Sequence, residues 1–389
     1  MRHFAFLDPP RLERIFHRPP EEVSADGDRR LVATALGATL YAPGTRPGLA
    51  DDVRRQAARG ATSMVLCLED AIGDDEVARA EDNVVATLRR IAEDPPAAAG
   101  GPPLLFVRVR DVGQVTRVVR RLGSAARHAL AGFVLPKFDE DSGEEWLAAV
   151  RGAAAWAGRH LWAMPVLESP EVIYRELRLD ALVAVRRLVD KHADTVLAVR
   201  IGATDLSGLF GLRRDRDLTI YDIAVVRECI ADIVNVCARG GDHVVTGPVW
   251  EYFASPERLF HSPLRVSPFE QANEEHGAEL RTRLVSRDLD RLIREVVLDK
   301  ANGLLGKTVI HPSHVPAVHA LHIVTHEEYD DALTVLGGDQ GGVRPSRYAN
   351  KMNELRPHRT WAEGVLRRAR AYGVLREGHT FVDVLGVHA

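Results

Sequence analysis

The sequence predicts an α/β protein built on a (β/α)8 barrel, the TIM-barrel architecture. Eight short apolar segments recur along the chain, and helical patterns fill the gaps between them. Several segments are nearly continuous apolar runs, as expected of parallel strands that are covered on both faces. Eight strands with intervening helices favour a closed barrel, and a doubly wound sheet is the weaker alternative.

The strand predictions follow the apolar segments in chain order. They are Thr39–Gly44, Ser63–Asp70, Leu104–Arg110, Gly132–Lys137, Trp162–Ser169, Val196–Asp205, His243–Pro248 and Lys307–Pro312. Helical periodicity predicts helices between them, with acidic residues near their starts, where the helix dipole favours negative charge. These helices are Asp51–Arg59, Asp75–Ile91, Ala181–His192 and Asp222–Ala238.

Two stretches exceed a minimal barrel and suggest the domain boundaries. We expect an N-terminal extension at residues 1–38, a barrel domain at 39–328 with an insertion at about 250–300, and a C-terminal extension at 329–389. The insertion combines Ser-Pro turns with a charged helix at about Glu274–Lys300, and the tail ends in a helix at Thr360–Tyr372. The basic stretch Arg344–Arg359 has two interpretations: a lid over the mouth of its own or a neighbouring barrel, or a solvated or oligomer-packing face.

Composition excludes several classes of protein. A formal net charge of −4 disfavours nucleic-acid binding through a basic surface, and no apolar run approaches the roughly 18 residues of a membrane span. The first residues include Asp8 and Pro9 where a signal peptide needs an unbroken apolar core, so we expect a cytoplasmic protein. The cysteines Cys67, Cys229 and Cys237 form no Cys-x-x-Cys pair and are interpreted as reduced core thiols.

Charged residues end five of the eight predicted strands, where the functional residues of a barrel are found. They are Glu69 and Asp70, Arg108 and Arg110, Lys137, Glu168, and Asp205. Each has a structural alternative, such as a helix cap, an ion pair or a surface lysine. Arg108 and Arg110 alternate along one strand, so only one of them should face the barrel interior.

The carboxylates Glu168 and Asp205 end successive strands and supply two hard oxygen ligands that suit Mg²⁺. Two chemistries fit a metal with a nearby arginine: stabilisation of an enolate during carbon–carbon cleavage, or organisation of phosphates. The turn Tyr41–Gly48 is not a phosphate-binding Walker motif, and no Gly-x-Gly-x-x-Gly follows a strand. These patterns favour the enolate chemistry and give little support to a nicotinamide cofactor. His311 is interpreted as a structural histidine.

Seven motifs, in order from Thr39 to Glu328, resemble those of the HpcH/HpaI aldolase and citrate lyase β-subunit (CitE-like) superfamily. The first, Leu40–Gly44, is similar to Leu-Phe-Val-Pro-Gly. The others are Val65–Ala71, Phe106–Val109, Val134–Lys137, Val166–Pro170, Ile201–Leu206 and Gly306–Pro312. The chain looks most similar to the branch of predicted C–C bond lyases found in bacterial tellurite-resistance and stress gene clusters.

The resemblance implies a lyase that depends on Mg²⁺, or Mn²⁺, bound by Glu168 and Asp205. Arg108 would hold a carboxylate or enolate oxygen of a small anionic oxo or hydroxy acid. Glu69 and Asp70 would order water on the metal or assist proton transfer, and Lys137 would support the acidic residues electrostatically. The family also implies a homo-oligomer, a trimer or a hexamer.

Departures from the family pattern keep the substrate open. Gly37 and Ala38 replace an Arg-Ser of the acyl-CoA-acting members, and Arg110 replaces an asparagine. Pro248 lacks the aspartate that often follows it two residues later. A CoA-thioester lyase of the citryl-CoA or malyl-CoA type is therefore an alternative, as is a non-catalytic barrel that serves as a subunit or ligand sensor.

Overall fold

Eight parallel strands form the barrel in the computed structural model, which describes residues 1–253, 289–338 and 341–386. The strands pair in chain order, and the eighth pairs with the first. They are β1 Ala38–Pro43, β2 Ser63–Cys67, β3 Leu104–Arg108, β4 Leu130–Leu135, β5 Trp162–Leu167, β6 Ala198–Ile201, β7 Val244–Val245 with Gly247–Trp250, and β8 Lys307–Val309. The predicted fold class is confirmed.

Strand β7 is interrupted at Thr246, and its two segments pair with different neighbouring strands, which closes the barrel. Its first segment pairs with β6 and its second with β8. The Thr246 amide donates to the Val199 carbonyl at 2.9 Å, and the Gly247 amide donates to the Gly306 carbonyl at 3.2 Å. A Cβ at Gly247 would lie 2.7 Å from Oδ2 of Asp299. A glycine is therefore required where the strand changes partner.

Helices connect the strands and cover the outside of the barrel. Within the described ranges, none of them is both long and apolar enough to cross a membrane. The α-helices are Pro9–Ile15, Arg29–Thr34, Leu49–Ala58, Val77–Glu93, Val112–Ala126, Glu140–Ala157, Pro170–Ile173, Arg175–Lys191, Ala203–Gly208, Ala224–Cys237, Leu289–Ala301, His314–His322, His326–Leu336, Arg359–Tyr372 and Phe381–Leu385. Short 3₁₀ turns span Asp74–Glu76, Arg127–Ala129, Ile220–Asp222 and Arg239–Gly241.

Most predicted helices lie within a few residues of their predicted bounds, and one is longer. The helix predicted to start at Ala181 starts at Arg175, just after a short helix at Pro170–Ile173. The helix predicted at about Glu274–Lys300 is described only as Leu289–Ala301. The rest of that prediction, with the Ser-Pro turns, lies in residues 254–288, outside the described residues.

The N-terminal extension covers the amino-terminal end of the barrel. Arg29, at the start of the helix Arg29–Thr34, donates to the carbonyl oxygens of Val196 at 3.4 Å and Asp242 at 2.8 Å. Both carbonyls lie just before strands, β6 and β7 respectively. The extension therefore packs at the end opposite the mouth, away from the end where the functional residues of this fold are found.

The C-terminal extension is anchored at the same end. The strand Val374–Leu375 pairs antiparallel with Phe16–Arg18. The Tyr372 hydroxyl donates to the Thr34 carbonyl at 2.8 Å and is buried. The two extensions thus form one layer beneath the barrel.

Part of the basic stretch forms a hairpin on this layer. Its strands are Val343–Pro345 and Met352–Glu354. Lys351 pairs with Asp331 at 2.8 Å, and the Asn353 side chain donates to the same carboxylate at 2.8 Å. The tail is therefore held on the helix His326–Leu336 of its own chain, away from its own barrel mouth. A contact with the mouth of a neighbouring chain stays a prediction.

A buried ion network ties the helix Leu289–Ala301 to the barrel. Lys307, at the start of β8, is fully buried and donates to Glu295 and Asp299, both at 2.8 Å. The Tyr221 hydroxyl donates to Asp299 at 2.7 Å, and Arg214 pairs with Glu295. Because each buried charge has an opposite partner, the network is tolerated inside the protein.

The three cysteines are free thiols in the apolar interior. All are buried, Cys67 on β2 and the other two on the helix Ala224–Cys237. Burial raises the pKa of Cys229 to about 12 and that of Cys237 to about 11. Such thiols are unreactive, which agrees with the sequence interpretation.

Candidate active site

The charged residues predicted at the strand ends meet at the carboxyl-terminal mouth of the barrel. Arg108 is the last residue of β3, while Glu69, Lys137 and Glu168 follow β2, β4 and β5 by one or two residues. Cys67 pairs in register with Arg108, and Arg108 pairs with Val134 of the next strand. Neighbouring parallel strands therefore deliver these side chains to one place.

Arg108 lies at the centre of three carboxylates. Its Nη2 atom is 2.6 Å from Glu69 Oε2, 3.1 Å from Asp70 Oδ2 and 3.0 Å from Glu168 Oε1. The Arg108 side chain is 12% exposed and that of Glu168 is 1% exposed. Within the described part of the chain, Nη1 of Arg108 has no hydrogen-bond partner and is not fully enclosed. The Nη1 atom of the guanidinium is therefore available to a ligand.

Lys137 braces two of these carboxylates. Its Nζ atom donates to Glu69 Oε1 at 2.8 Å, and its backbone amide donates to Glu168 Oε1 at 2.9 Å. Lys137 has a φ of 47°, which is unusual for a residue with a side chain and costs about 1–3 kcal/mol. This backbone conformation occurs where the amide reaches Glu168, so the strain is stored at the site.

Asp205 lies four residues beyond β6, in the first turn of the short helix Ala203–Gly208, and not at the strand end itself. Among the described residues its carboxylate has no hydrogen-bond or ion-pair partner, and it is partly exposed. A Cβ at Gly202 would lie 2.2 Å from Glu168 Oε2. The glycine before the short helix is therefore what allows Glu168 to lie against this segment.

The carboxyl groups influence each other's protonation. Burial raises the pKa of Glu168 to about 7, and the charges of Asp205 and Glu69 add to this rise while Arg108 opposes it. Burial and the neighbouring Glu69 raise the pKa of Asp70 to about 6. Burial would also raise the pKa of Glu69, but its hydrogen bond with Asp70 and the charges of Arg108 and Lys137 lower it. Carboxyls with separated pKa values are typical of acid–base sites.

Arg110 points away from the site, as the alternation along β3 requires. Its guanidinium donates to the backbone carbonyls of Leu68, Glu69 and Ile72 at 3.2–3.3 Å and pairs with Asp74. These contacts hold the loop that carries Glu69 and Asp70. Sequence patterns alone do not reveal this role, because its acceptors are backbone atoms.

Glu168 and Asp205 fit a hard divalent cation. No group of three or more His, Cys, Asp or Glu side chains able to hold a metal occurs in the described ranges. Mg²⁺ is commonly bound by one or two carboxylates and keeps several waters or substrate oxygens. An unpartnered Asp205, close enough to raise the pKa of Glu168, is consistent with such a pair of ligands.

Comparisons with known proteins agree with this fold. A family model described as "C-C_Bond_Lyase of the TIM-Barrel fold" matches residues 30–374. A comparison with curated protein sequences found no match.

Solved structures show the same fold at low sequence identity. One is CitE from Mycobacterium tuberculosis in complex with magnesium, acetoacetate and coenzyme A, with a TM-score of 0.51 and 20% identity over 87% of this chain and 99% of that chain. Another is a Haloferax volcanii malate synthase magnesium/glyoxylate complex, with a TM-score of 0.51 and 14% identity over 72% of this chain and 73% of that chain.

The family model covers most of the chain, including every barrel strand and all six predicted site residues. The chain therefore belongs to the C–C bond lyase family of the TIM-barrel fold and is a carbon–carbon lyase.

Proposed function

We propose that this enzyme is a Mg²⁺-dependent lyase or aldolase that breaks or forms a carbon–carbon bond next to a small oxo or hydroxy acid, through an enolate. The observation that carries the proposal is the position of Arg108. Its Nη2 atom is bound by Glu69, Asp70 and Glu168, while its Nη1 atom is unpaired among the described residues. A preorganised cation at a mouth lined with carboxylates suits a reaction in which negative charge develops on oxygen.

Glu168 and Asp205 would hold the metal, because among the described residues Glu168 is buried with its Oε2 atom unpaired and the Asp205 carboxylate has no partner. Mg²⁺, or Mn²⁺, would supply Lewis acidity toward the oxygen atoms of the acid. Lys137 and Arg108 would keep Glu168 oriented through its Oε1 atom, which leaves Oε2 on the side of Gly202.

In the cleavage direction, the substrate hydroxyl next to the breaking bond gives its proton to Asp70 and becomes a carbonyl, while the electron pair of the broken carbon–carbon bond becomes the enolate. Arg108 stabilises the negative oxygen, since guanidinium groups bind carboxylate and enolate oxygens through directed N–H donors. Asp70 is half exposed and its pKa lies near 6, so it can exchange a proton with the substrate near neutral pH. Lys137 keeps Glu69 ionised and Glu69 in turn keeps Asp70 basic.

The relatives support the small-acid and magnesium parts of this proposal as a class. CitE was solved with magnesium and acetoacetate, and malate synthase with magnesium and glyoxylate. Both acids are small anions that carry an oxo group. Whether a CoA thioester is the second substrate is an outcome of the test, since coenzyme A was also present in the CitE complex.

The direct test is turnover by the purified full-length protein. It is assayed for release or condensation of pyruvate, glyoxylate or an acetyl donor, with and without CoA thioesters, in Mg²⁺ and after EDTA treatment. We expect activity that EDTA abolishes and that Mg²⁺ or Mn²⁺ restores. Activity that persists without a divalent cation would refute the metal dependence. Metal binding with no turnover on a broad panel of oxo acids, aldehydes and thioesters would favour a ligand sensor.

Assembly and location are part of the proposal as well. We expect a homo-oligomer, a trimer or a hexamer, and a cytoplasmic location. Sedimentation equilibrium of the native protein tests the first, with a monomeric mass of 42.9 kDa as the reference. Fractionation of cells that express the untagged chain tests the second.

A further inference from the structure

Tyr41 faces the barrel interior directly beneath the charged site. It lies on β1, in register with Val65, while Pro43 two residues later is in register with Cys67. Cys67 is in register with Arg108. Since side chains on one face of a strand recur every second residue, Tyr41 is one layer below Arg108.

The ring of Tyr41 is held from below by a buried cation. Cζ of Arg200 lies 5.5 Å from the ring centroid, and Arg200 is 1% exposed. Arg200 donates to Thr308 Oγ1 at 2.6 Å and to Thr39 Oγ1 at 3.4 Å. It has no carboxylate partner in the described part of the chain. The face of the Tyr41 ring therefore partly offsets the buried positive charge of Arg200, and Arg200 in turn holds the ring in place.

The hydroxyl of Tyr41 is the unused part of this arrangement. It makes no hydrogen bond within the described residues, and it is not among the fully enclosed polar atoms. The charges of Arg108 and Glu168 both act on it, which places it near the site. Burial raises the pKa of Tyr41, so the group is a neutral donor. Because the hydroxyl is unpaired and not enclosed, it is available to donate to a ligand bound at the site.

We propose that the Tyr41 hydroxyl donates a hydrogen bond to an oxygen atom of the small acid bound against Arg108, and thereby selects acids that carry an oxygen at that position. The inference rests on the function proposed above and adds a residue that determines specificity. Arg200 acts as a positioning residue, because it touches the ring and not the ligand.

Binding of oxalate tests the proposal without any need to know the substrate. Oxalate is a planar anion with the oxygen arrangement of a pyruvate enolate, and its affinity is measured by titration calorimetry with Mg²⁺ present. Tyr41→Phe removes only the hydroxyl, which has no protein partner to lose, so the variant should melt at the same temperature as the wild type. We expect its oxalate affinity to fall about tenfold or more, as for a lost hydrogen bond to a charged ligand, with Mg²⁺ affinity unchanged.

Tyr372→Phe is the matched control, because Tyr372 is buried at the opposite end of the barrel with its hydroxyl bound to Thr34. It should leave oxalate affinity unchanged.

Arg200→Met should weaken oxalate binding less than Tyr41→Phe does. If Arg200 acts through the ring, the double variant should bind oxalate about as weakly as Tyr41→Phe alone.

The outcomes separate the two proposals. If the wild type binds Mg²⁺ and oxalate and Tyr41→Phe binds both equally well, the role of Tyr41 is wrong and the proposed function stands. If the wild type binds Mg²⁺ but not oxalate, or neither, the proposed function is overturned and the role of Tyr41 with it. A loss of Mg²⁺ affinity in Tyr41→Phe equal to its loss of oxalate affinity would also overturn the inference.

Discussion

The Glu168 carboxylate lies against the backbone of Gly202, so closely that a Cβ at residue 202 would be 2.2 Å from Oε2 and 2.4 Å from the Glu168 Cβ. Gly202→Ala must therefore displace Glu168. A misplacement of about 1 Å can cost about 10²-fold in rate, and we expect a loss of that order in kcat/KM together with weaker Mg²⁺ binding. Steady-state kinetics and Mg²⁺ titration measure both effects.

Gly208→Ala is the matched control for that substitution. Gly208 ends the same short helix, and nothing lies within 4 Å of a Cβ built there. It should leave activity and metal affinity unchanged. Equal kcat/KM and equal Mg²⁺ affinity in Gly202→Ala and Gly208→Ala would show that the contact between Gly202 and Glu168 does not position the carboxylate.

Glu168→Gln keeps the size of the side chain and an oxygen that can accept from Arg108 and the Lys137 amide, so the protein should fold. It removes the negative charge that a divalent cation requires. We expect Mg²⁺ affinity to fall at least about tenfold and turnover to be lost, as measured by calorimetry and by the lyase assay. Glu144→Gln, at a 45% exposed position on the helix Glu140–Ala157, serves as the control. Full metal binding and turnover in Glu168→Gln would end the ligand assignment.

Arg108→Lys tests whether the guanidinium is needed and not merely a positive charge. A lysine carries its charge on a single nitrogen. It cannot bind the three carboxylates through one nitrogen and present a second nitrogen to a substrate, as Arg108 can. We expect kcat/KM to fall by about 100-fold, a loss of roughly 3 kcal/mol of transition-state binding. Arg117→Lys, which alters a pair between half-exposed side chains at Asp111, should have little effect. Near-normal kinetics for Arg108→Lys would assign Arg108 a structural role only.

Lys307→Met tests the buried ion network beside β8. The substitution leaves Asp299 buried without a cation and Glu295 with Arg214 alone, which we expect to lower the free energy of unfolding by about 3–5 kcal/mol. Lys191→Met removes a lysine that is 61% exposed and paired with Glu144, and it should cost about 1 kcal/mol or less. Urea denaturation followed by circular dichroism compares them. Similar urea midpoints for the two variants would show that the network contributes little to stability.

Three buried histidines predict a loss of stability in acid. Burial lowers the pKa of His3 and of His314 to about 4 and that of His322 to about 3. These groups stay neutral in the folded protein, while in the unfolded chain they bind protons below pH 6.5. Stability is therefore fully present above about pH 6.5 and is lost as the pH falls toward 4, by up to about 1.4 kcal/mol per pH unit for each histidine.

His322 offers the sharpest check of this pH dependence. Its Nε2 accepts from the Gly306 amide at 2.9 Å and its Nδ1 contacts the Val318 carbonyl at 2.7 Å, so the ring cannot gain a proton without losing a hydrogen bond. We expect His322→Gln to reduce the pH slope between 6.5 and 4 by about one proton. His128→Gln, at an exposed position, should leave the slope unchanged. An identical slope in both variants would refute the assignment.

Much of the fold could be predicted because parallel strands leave a local signature. All eight predicted strands occur, since continuous apolar runs reflect burial on both faces. The charges after those runs were equally informative, because Glu69, Arg108, Lys137 and Glu168 converge at one mouth. The choice between Arg108 and Arg110 required the structure, since alternation shows that only one faces inward but not which one.

The sequence by itself determined the barrel, the order of its strands and the set of charged residues at its mouth, because these depend on local periodicity and on the rule that parallel strands end together. Only the tertiary structure decided which atoms meet. The contact of Glu168 with Gly202, the stacking of Tyr41 on Arg200, and the anchoring of the tail beneath the barrel join residues from distant segments. Such contacts are set by strand register and barrel closure, which no single segment encodes.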